Sequence, residues 1–432
     1  MSKANWVENT EMTKRAKVIN IMSFPPPYEL YHKEPTPEIH WRLTEGRWVG
    51  IWSHEIPDLL GNEILRVNND FEYEVWQSDA RADVVYSHAF GNGLTHRLLP
   101  AIQRRELVGI KLIRKIFPRT AIAKLSELSL KERIILQLDG PALYDRAIID
   151  ALSHLPIVVR FGGTIHLPAT RMFRRRKNIV SIINDVSDQI WLRKKVNSVD
   201  CIFYQNDVNV EHLRKIYRGE LVKATAGIDF SSWYQMNGKY ARKRLGLPLN
   251  KKIFFSACTL KPLKQVDKLI RTFVQISDQY DFLLVIAGHG TSGYESYIRR
   301  ISEPLVRKNK LRFVGYIRGQ ELLWYYNASD FFLSSSLEEG GPGSVIKALA
   351  CGIPVISTRV GNTAELMEQH KCGCLLDIHD YAGWKSSIEE VLAGKRVVRA
   401  LARAVAREHY GWPAIANKYL DVYKRLVNKY YA

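Results

Sequence analysis

Short apolar runs recur along the chain, and stretches with helical spacing lie between them. Residues 18–24 read as one strand, and 48–52 form a further apolar run. Apolar residues over 58–67 follow helical spacing, and 72–76 alternate as a half-buried strand does. Residues 83–86, 133–138, 156–161 and 200–204 are further strand candidates, and 210–217 reads as a helix. A polar, turn-rich stretch over 227–249 marks a boundary, and a second series follows it. Strands are expected over 253–257, 282–287, 311–314, 330–333 and 354–357. Helices are expected over 266–276, 294–306, 321–327 and 344–350. The tail from Ala382 reads as helices, the last over 412–430.

Strands alternating with helices predict parallel sheets covered on both faces. The expected fold class is therefore α/β, with two tandem Rossmann-like, doubly wound domains facing a cleft. An N-terminal extension is expected over 1–45, where Pro25, Pro26, Pro27, Pro35 and Pro37 break any long element. The first domain is expected over 46–225, rejoined by a C-terminal helix at 412–432, and the second over 226–411. Ligands of such sheets bind at the carboxyl ends of the strands, so the cleft is the expected site.

Composition narrows the partners. The chain has 432 residues, 46% hydrophobic and 25% charged, which suits an ordinary globular protein with a sizeable core. No run of about 18 uncharged apolar residues exists, so a transmembrane helix is excluded. The polar segment 1–17 has no apolar signal core, so a cytoplasmic protein is expected. Five cysteines are too sparse for a disulfide scaffold. The tightest cluster, His370-Lys-Cys-Gly-Cys374, lacks the second ligand pair of a zinc site. It reads as a strand edge with buried thiols, and no metal is expected.

Charge is the outlier. Sixty-three Lys and Arg against 44 Asp and Glu give +19, and residues 101–200 hold 19 basic and 9 acidic residues. Nucleic acid is not the expected partner, because no recognition motif appears and the charge is not in a compact module. The cationic runs 107–117 and 171–177 instead suit an anionic membrane surface. The first reads as an interfacial helix, with a solvated helix face as the plainer alternative.

Candidate chemistry concentrates at strand ends of the second series. Glu339 precedes Gly340, Gly341 and Gly343, and Ser344 opens a helix. Free backbone N–H groups and the helix dipole make such a loop suited to phosphate. An ordinary strand-to-helix turn accounts for the loop alone equally well. Thr259, Lys261 and Lys264 follow the first strand of the series, at the end of the sheet where a diphosphate would lie. Gly288 and Gly290 form another strand-end turn, and Val314 and Gly315 a fourth. In the first series His88, Asp139 and His166 are strand-end candidates, though surface or core roles are the commoner fate of such residues.

Taken in order, these segments resemble the nucleotide-sugar-binding domain of family-4 glycosyltransferases, retaining enzymes of the GT-B fold. The resemblance spans residues 198–376. It includes Ala226-Gly-Ile-Asp229, Ala287-Gly-His-Gly290, Val314-Gly315, Ser335-Ser336, Glu339-Gly-Gly-Pro-Gly343, Ala350-Cys-Gly-Ile-Pro-Val355 and Gly361-Asn-Thr-Ala-Glu365. It implies transfer of a sugar, with retention, from a nucleoside diphosphate sugar that serves as co-substrate, with neither metal nor other cofactor. Lys264 matches the family's diphosphate-binding lysine. Glu339 matches the first glutamate of its Glu-x7-Glu element, which holds sugar hydroxyls. Thr259 stands in place of the family's arginine, Lys347 in place of the second glutamate, and Phe161 in place of a frequent histidine. The expected function is glycosyl transfer to a lipid-linked or polysaccharide acceptor in cell-envelope synthesis, peripheral on the cytoplasmic membrane face. The alternative is a catalytically degenerate homologue acting as a binding or partner subunit.

Overall fold

The computed structural model describes residues 15–22, 52–79, 84–108, 111–138, 143–161, 190, 193–290, 292–317, 319–341, 343–369, 371–394 and 402–432. The chain divides into two compact units. The first comprises Met1–Tyr204, Asn209–Ala224 and Ala416–Ala432; the second comprises Gln205–Val208 and Thr225–Ile415.

In the first unit the strands are β1 (Ala16–Met22), β2 (Phe71–Asp79), β3 (Tyr86–Ala89), β4 (Thr95–Pro100), β5 (Ile102–Val108), β6 (Lys111–Phe117), β7 (Ile134–Leu138), β8 (Ile157–Phe161), β9 (Cys201–Tyr204) and β10 (Glu220–Lys223). Eight of them form one sheet in the order β10-β9-β8-β7-β1-β2-β4-β3. All neighbours are parallel except β3, which returns antiparallel along β4. The helices α1 (Trp52–Val67), α2 (Arg119–Leu128), α3 (Leu143–Leu152) and α4 (Asp207–Arg214) connect them.

Three elements differ from the sequence expectation. Strand β1 falls inside the stretch read as an extension, yet it sits mid-sheet between β2 and β7. Its Val18, Ile19 and Ile21 are fully buried, and hydrophobic burial of that run outweighs the prolines that follow. Trp52, the last residue of the apolar run 48–52, begins α1, whose Ile56, Leu60 and Ile64 form one buried stripe at helical spacing. The run 107–117, expected as an interfacial helix, is part of an antiparallel hairpin, β5–β6, separate from both large sheets. Its Val108, Ile113 and Ile116 are β-branched and favour pairing over helix. The second cationic run, 171–177, lies outside the described residues.

The C-terminal helix, Trp412–Tyr431, packs on the first unit from Ala416 onward. Tyr419 stacks on Phe203 of β9 at 3.8 Å between ring centroids. The buried Tyr423 hydroxyl donates to Gln137 Oε1 of β7. Asp200 Oδ1 accepts from Lys429 Nζ and Tyr430 Oη, each at 2.8 Å.

The second unit holds β11 (Lys252–Ala257), β12 (Phe282–Ala287), β13 (Leu311–Gly315), β14 (Phe331–Ser334), β15 (Val355–Thr358) and β16 (Gly373–Leu376). They form one parallel sheet in the order β13-β12-β11-β14-β15-β16. Its helices are α5 (Gly238–Arg244), α6 (Val266–Ile276), α7 (Ser292–Ile301), α8 (Glu303–Arg307), α9 (Gly319–Ala328), α10 (Gly343–Ala350), α11 (Tyr381–Leu392) and α12 (Ala402–Tyr410). Alternate side chains of β11 serve the two faces. Phe255 joins a core with Phe332, Ile346 and Leu349, and Phe254 joins another with Phe273, Leu284 and Ile388. The single helix expected over 294–306 is two, because Pro304 starts α8 afresh after Ser302. Cys374 lies on the edge strand β16, and Cys372 beside it is buried. Among the described residues, no helix is long and apolar enough to cross a membrane.

Candidate functional site

The strand order of the second unit reverses at β11. The chain steps from β11 to β12 on one side and later returns to place β14 on the other. Loops leaving adjacent strands in opposite directions open a crevice at their carboxyl ends, the usual ligand site of such a sheet. Lys264 follows β11, and Glu339 follows β14.

The two meet there. Lys264 Nζ donates to Glu339 Oε1, and Ser336 Oγ donates to the same oxygen at 2.7 Å. Both charged side chains are 18% exposed, so the pair is largely shielded yet reachable. The turn that carries Lys264 is fixed independently. Ser335 Oγ donates to the Lys264 carbonyl at 2.8 Å, and Leu337 N donates to the Leu263 carbonyl at 2.9 Å. Gln265, next in sequence, has φ 49° and ψ 35°, a left-handed conformation costing a non-glycine residue about 1 kcal/mol or more. Cys258, just after β11, lies close enough to feel the charges of Lys264 and Glu339. Burial pushes its thiol up to about 12, partly opposed by the Lys264 charge, so it is a neutral wall and not a nucleophile.

The glycines divide by cause. A Cβ on Gly288 would lie 1.8 Å from the Cys258 carbonyl oxygen, and one on Gly290 would lie 1.9 Å from that of Leu260. Leu260 and Gly290 form a parallel bridge beyond β11 and β12, so these two glycines are required by backbone packing. Gly315 has φ +72° and no neighbour within 4 Å of a would-be Cβ. Val314 packs against the core of the α9–α10 face.

In the loop before α10, the Gly340 carbonyl accepts from Asn206 Nδ2 at 2.6 Å, and a Cβ on Gly341 would meet Gln205 Oε1 at 2.4 Å. Gly343, at the start of α10, faces open space. The Ser344 carbonyl accepts from Tyr326 Oη at 3.0 Å, which anchors the first turn of α10. That turn begins four residues after Glu339, and its free N–H groups and positive dipole end suit an anion.

The remaining candidates are dispersed. Thr259 and Lys261 are exposed on the loop after β11. Lys347, on α10, places its ammonium 4.5 Å from the centre of the Trp233 ring, and the Trp233 carbonyl accepts from Arg403 at 3.2 Å. Phe161 is buried in the core of the first unit. His88 lies on the edge strand β3, opposite His96. Asp139 and His166 lie outside the described residues. Sequence reasoning gave no role to Trp233, Gln205 or Asn206. None of the three sits in a recognisable motif, and only the fold brings them beside α10 and its loop.

Comparisons with known proteins place the chain beside glycosyltransferases in sequence and fold. Residues 239–408 match the model of a family described as "Glycosyl transferases group 1". A D-inositol 3-phosphate glycosyltransferase 2 of Catenulispora acidiphila is 26% identical over 247 residues, 54% of this chain and 57% of that protein. The D-inositol 3-phosphate glycosyltransferase of Saccharomonospora viridis is 27% identical over 243 residues, 53% and 56% of the two chains. The chain thus spans a little over half the length of these curated relatives. Among solved structures, the sucrose-phosphate synthase of Thermosynechococcus elongatus superposes with a TM-score of 0.70 at 17% identity, covering 96% of this chain and 100% of that one. Anabaena HepE, solved in complex with UDP, gives 0.64 at 13% identity, covering 95% and 100%. The fold is therefore that of the GT-B glycosyltransferases, with two Rossmann-like domains, and residues 239–408 are similar to the group 1 glycosyl transferases.

Proposed function

We propose that the protein is a retaining glycosyltransferase that moves a sugar from a nucleoside diphosphate sugar to a lipid-linked or polysaccharide acceptor, without a metal. The observation that carries this reading is the meeting of Lys264 and Glu339 on the loops that follow β11 and β14, where the strand order reverses. A nucleoside diphosphate sugar offers each element its complement. The diphosphate suits the Lys264 ammonium and the α10 N–H groups, and sugar hydroxyls suit the Glu339 carboxylate as donors to it. In the transfer, the bond from the anomeric carbon to the diphosphate breaks and its electron pair leaves on the phosphate oxygen. The acceptor hydroxyl bonds to that carbon, and its proton passes to the departing phosphate oxygen. Lys264 is placed to offset the charge that develops on the departing diphosphate.

The relatives guide the choice of substrates. Inositol phosphate enzymes on one side and a UDP-bound neighbour on the other make UDP-hexoses and phosphate-bearing acceptors the first candidates. The positive charge of residues 101–200 supports an acceptor presented at an anionic surface, with the enzyme peripheral on the membrane face and active in envelope polysaccharide synthesis.

A thermal-shift screen against UDP-, GDP- and ADP-sugars tests the donor reading. A ligand at 100 times its Kd stabilises by about 2.7 kcal/mol. If no nucleotide sugar raises the melting temperature and none is hydrolysed or transferred, the reading fails.

Lys347 favours a second reading. An ammonium cannot accept hydrogen bonds from a ribose, and here it lies over Trp233. With Thr259 in place of a cation, the chain would then be a binding or partner subunit that holds the fold without turnover.

A further inference from the structure

The helices α2 and α3 flank β7 in the chain, α2 running into it and α3 leaving it. Both therefore start near the carboxyl end of that strand, the end at which such sheets hold ligands. They line a cavity of about 670 Å³ together with Phe117, at the end of β6. From α2 it takes Arg119 and Ile122, three residues apart on one helix face. From α3 it takes Arg146, Ala147, Asp150 and Ala151, which also share one face. The two alanines leave room that larger side chains would fill.

Exposure grades the lining. Arg146 is 9% exposed, Phe117, Ile122 and Ala147 are half-buried, and Arg119, Asp150 and Ala151 are exposed at the rim. Asp150 Oδ1 lies 2.9 Å from Lys195 Nζ, so this carboxylate has a cation of its own. The two guanidinium groups set the sign of the cavity, and neither loses its proton at physiological pH. A guanidinium offers a planar fork of donors that matches the oxygens of a phosphate. The first turn of α2 adds to this. Its N-cap is Pro118, with no side-chain cap, so the N–H groups in the turn that carries Arg119 are left for an anion. The volume is that of a small-molecule site and exceeds the needs of a lone phosphate, so the occupant carries a body beside its charge. Phe117, Ile122 and the alanines make that body apolar.

We propose that this cavity binds a phosphate monoester with an apolar body, the phosphate on Arg146 and Arg119 and the body against Phe117, Ile122, Ala147 and Ala151. A single-chain lipid phosphate and a diacyl phosphatidic headgroup share this chemistry. The inference deepens the reading of a lipid-linked, phosphate-bearing acceptor, on which it rests for the use made of the bound molecule. It assigns the acceptor's phosphate to a cavity built wholly within the first unit.

The test is calorimetric titration of the full chain with octyl phosphate, dihexanoyl phosphatidic acid, glucose 6-phosphate, inorganic phosphate and octanol, each below its micelle concentration. Octyl phosphate is expected to bind roughly tenfold or more tighter than inorganic phosphate, since each buried methylene adds affinity, and octanol is expected not to bind. Arg146→Gln should weaken octyl phosphate by about tenfold to a hundredfold, the loss of a charge-assisted hydrogen bond. Because Arg146 is buried, two rim variants carry the test if that one fails to fold. Arg119→Gln should weaken every phosphate ligand. Ala151→Leu should bring octyl phosphate down to the level of inorganic phosphate by filling the apolar part. Preference for octyl phosphate identifies a single-chain source and preference for phosphatidic acid a diacyl one, and either upholds the site. A wild type that binds octyl phosphate yet shows no thermal shift with any nucleotide sugar keeps the site and loses the transfer reading, so the two failures are distinguishable. The proposal is overturned if wild type does not bind octyl phosphate, or binds inorganic phosphate or glucose 6-phosphate equally well. Undiminished octyl phosphate binding in both Arg119→Gln and Ala151→Leu overturns it too.

Discussion

Glu339 Oε1 accepts two hydrogen bonds, one from Lys264 Nζ and one from Ser336 Oγ. The cation placed for a diphosphate is thus already engaged by the carboxylate placed for a sugar. A donor must divide this pair, the diphosphate drawing Lys264 and the sugar hydroxyls replacing it on Glu339. The two residues therefore have separable signatures. Lys264→Met is expected to weaken UDP or GDP affinity by about 1.5–3 kcal/mol, the worth of a hydrogen bond to a charged group. Glu339→Gln should leave nucleoside diphosphate affinity equal or tighter and remove the added affinity of the nucleotide sugar over the diphosphate. Calorimetric titration of both ligands on both variants reads this out. Equal losses for both ligands in both variants would sink the division of roles.

The glycines permit a test that separates ligand approach from packing. Gly288→Ala and Gly290→Ala drive a methyl group into backbone oxygens at 1.8 and 1.9 Å. Each should lower the stability of the second unit by several kcal/mol, visible as an earlier melting transition. Gly343→Ala meets nothing within 4 Å and sits in a helix, where alanine is favoured by about 1 kcal/mol. Its melting temperature should hold or rise, and any loss of nucleotide-sugar binding in it reports a ligand passing close to the α10 start. A destabilised Gly343→Ala would contradict that placement.

Lys347 and Thr259 decide between the two functional readings. Lys347→Glu removes a cation–π contact worth about 0.5–2 kcal/mol and restores an acceptor on α10. Combined with Thr259→Arg, it should raise turnover if the site has decayed and lower it if the site has been retuned for a different donor. Initial rates with the donor found in the thermal screen give the sign.

A buried ion-pair network governs the acid stability of the first unit. Glu74 is nearly buried, and burial alone would raise its pKa. Hydrogen bonds from Arg97 and Trp76 and the charge of Lys17 outweigh this and hold it below the usual carboxylate range. A carboxylate depressed in the folded state contributes stability above its unfolded pKa and loses it as pH falls through the folded value. The melting temperature of the wild type should therefore drop on acidification below the ordinary carboxylate range. Glu74→Gln should be less stable by about 1–3 kcal/mol at neutral pH, since it removes the charge partner of the part-buried Arg97 while Lys17 keeps Glu132, and its acid limb should be flatter. Calorimetry across pH, following the first unit's transition, checks both.

The second unit is legible in the sequence because its central strands β11, β12, β14 and β15 are buried on both faces and flanked by turn residues. Residues 282–287 and 266–276 are strand and helix at the limits the pattern predicts, and the remaining strands lie within about two residues of expectation. The first unit is less legible where burial and local breakers disagree. Strand β1 is followed within a few residues by three prolines, and only its partners β2 and β7 show that it belongs mid-sheet. The hairpin was obscured differently. Its alternation of cations and apolar residues fits period two as well as a helical stripe, and pairing at a distance of a few residues settles it. In the site, Lys264 and Glu339 were readable from their strand-end positions. Their direct contact, 75 residues apart in sequence, and the seat of Lys347 on Trp233 depend on the sheet order, which no local pattern encodes.

The C-terminal helix changes hands between Ile415 and Ala416, its first residues counted with the second unit and the rest with the first. On the ribosome this sets an order of events. The sheet of the first unit emerges early, but Phe203, Gln137 and Asp200 receive their partners from Tyr419, Tyr423, Lys429 and Tyr430 only as residues 416–432 leave the exit tunnel, after the second unit. Apart from the short segment Gln205–Val208, the second unit is contiguous over Thr225–Ile415 and is fully emerged before then. The first unit is thus completed after the second has emerged, and through that interval the face bearing Phe203 and Gln137 depends on water or a chaperone for cover.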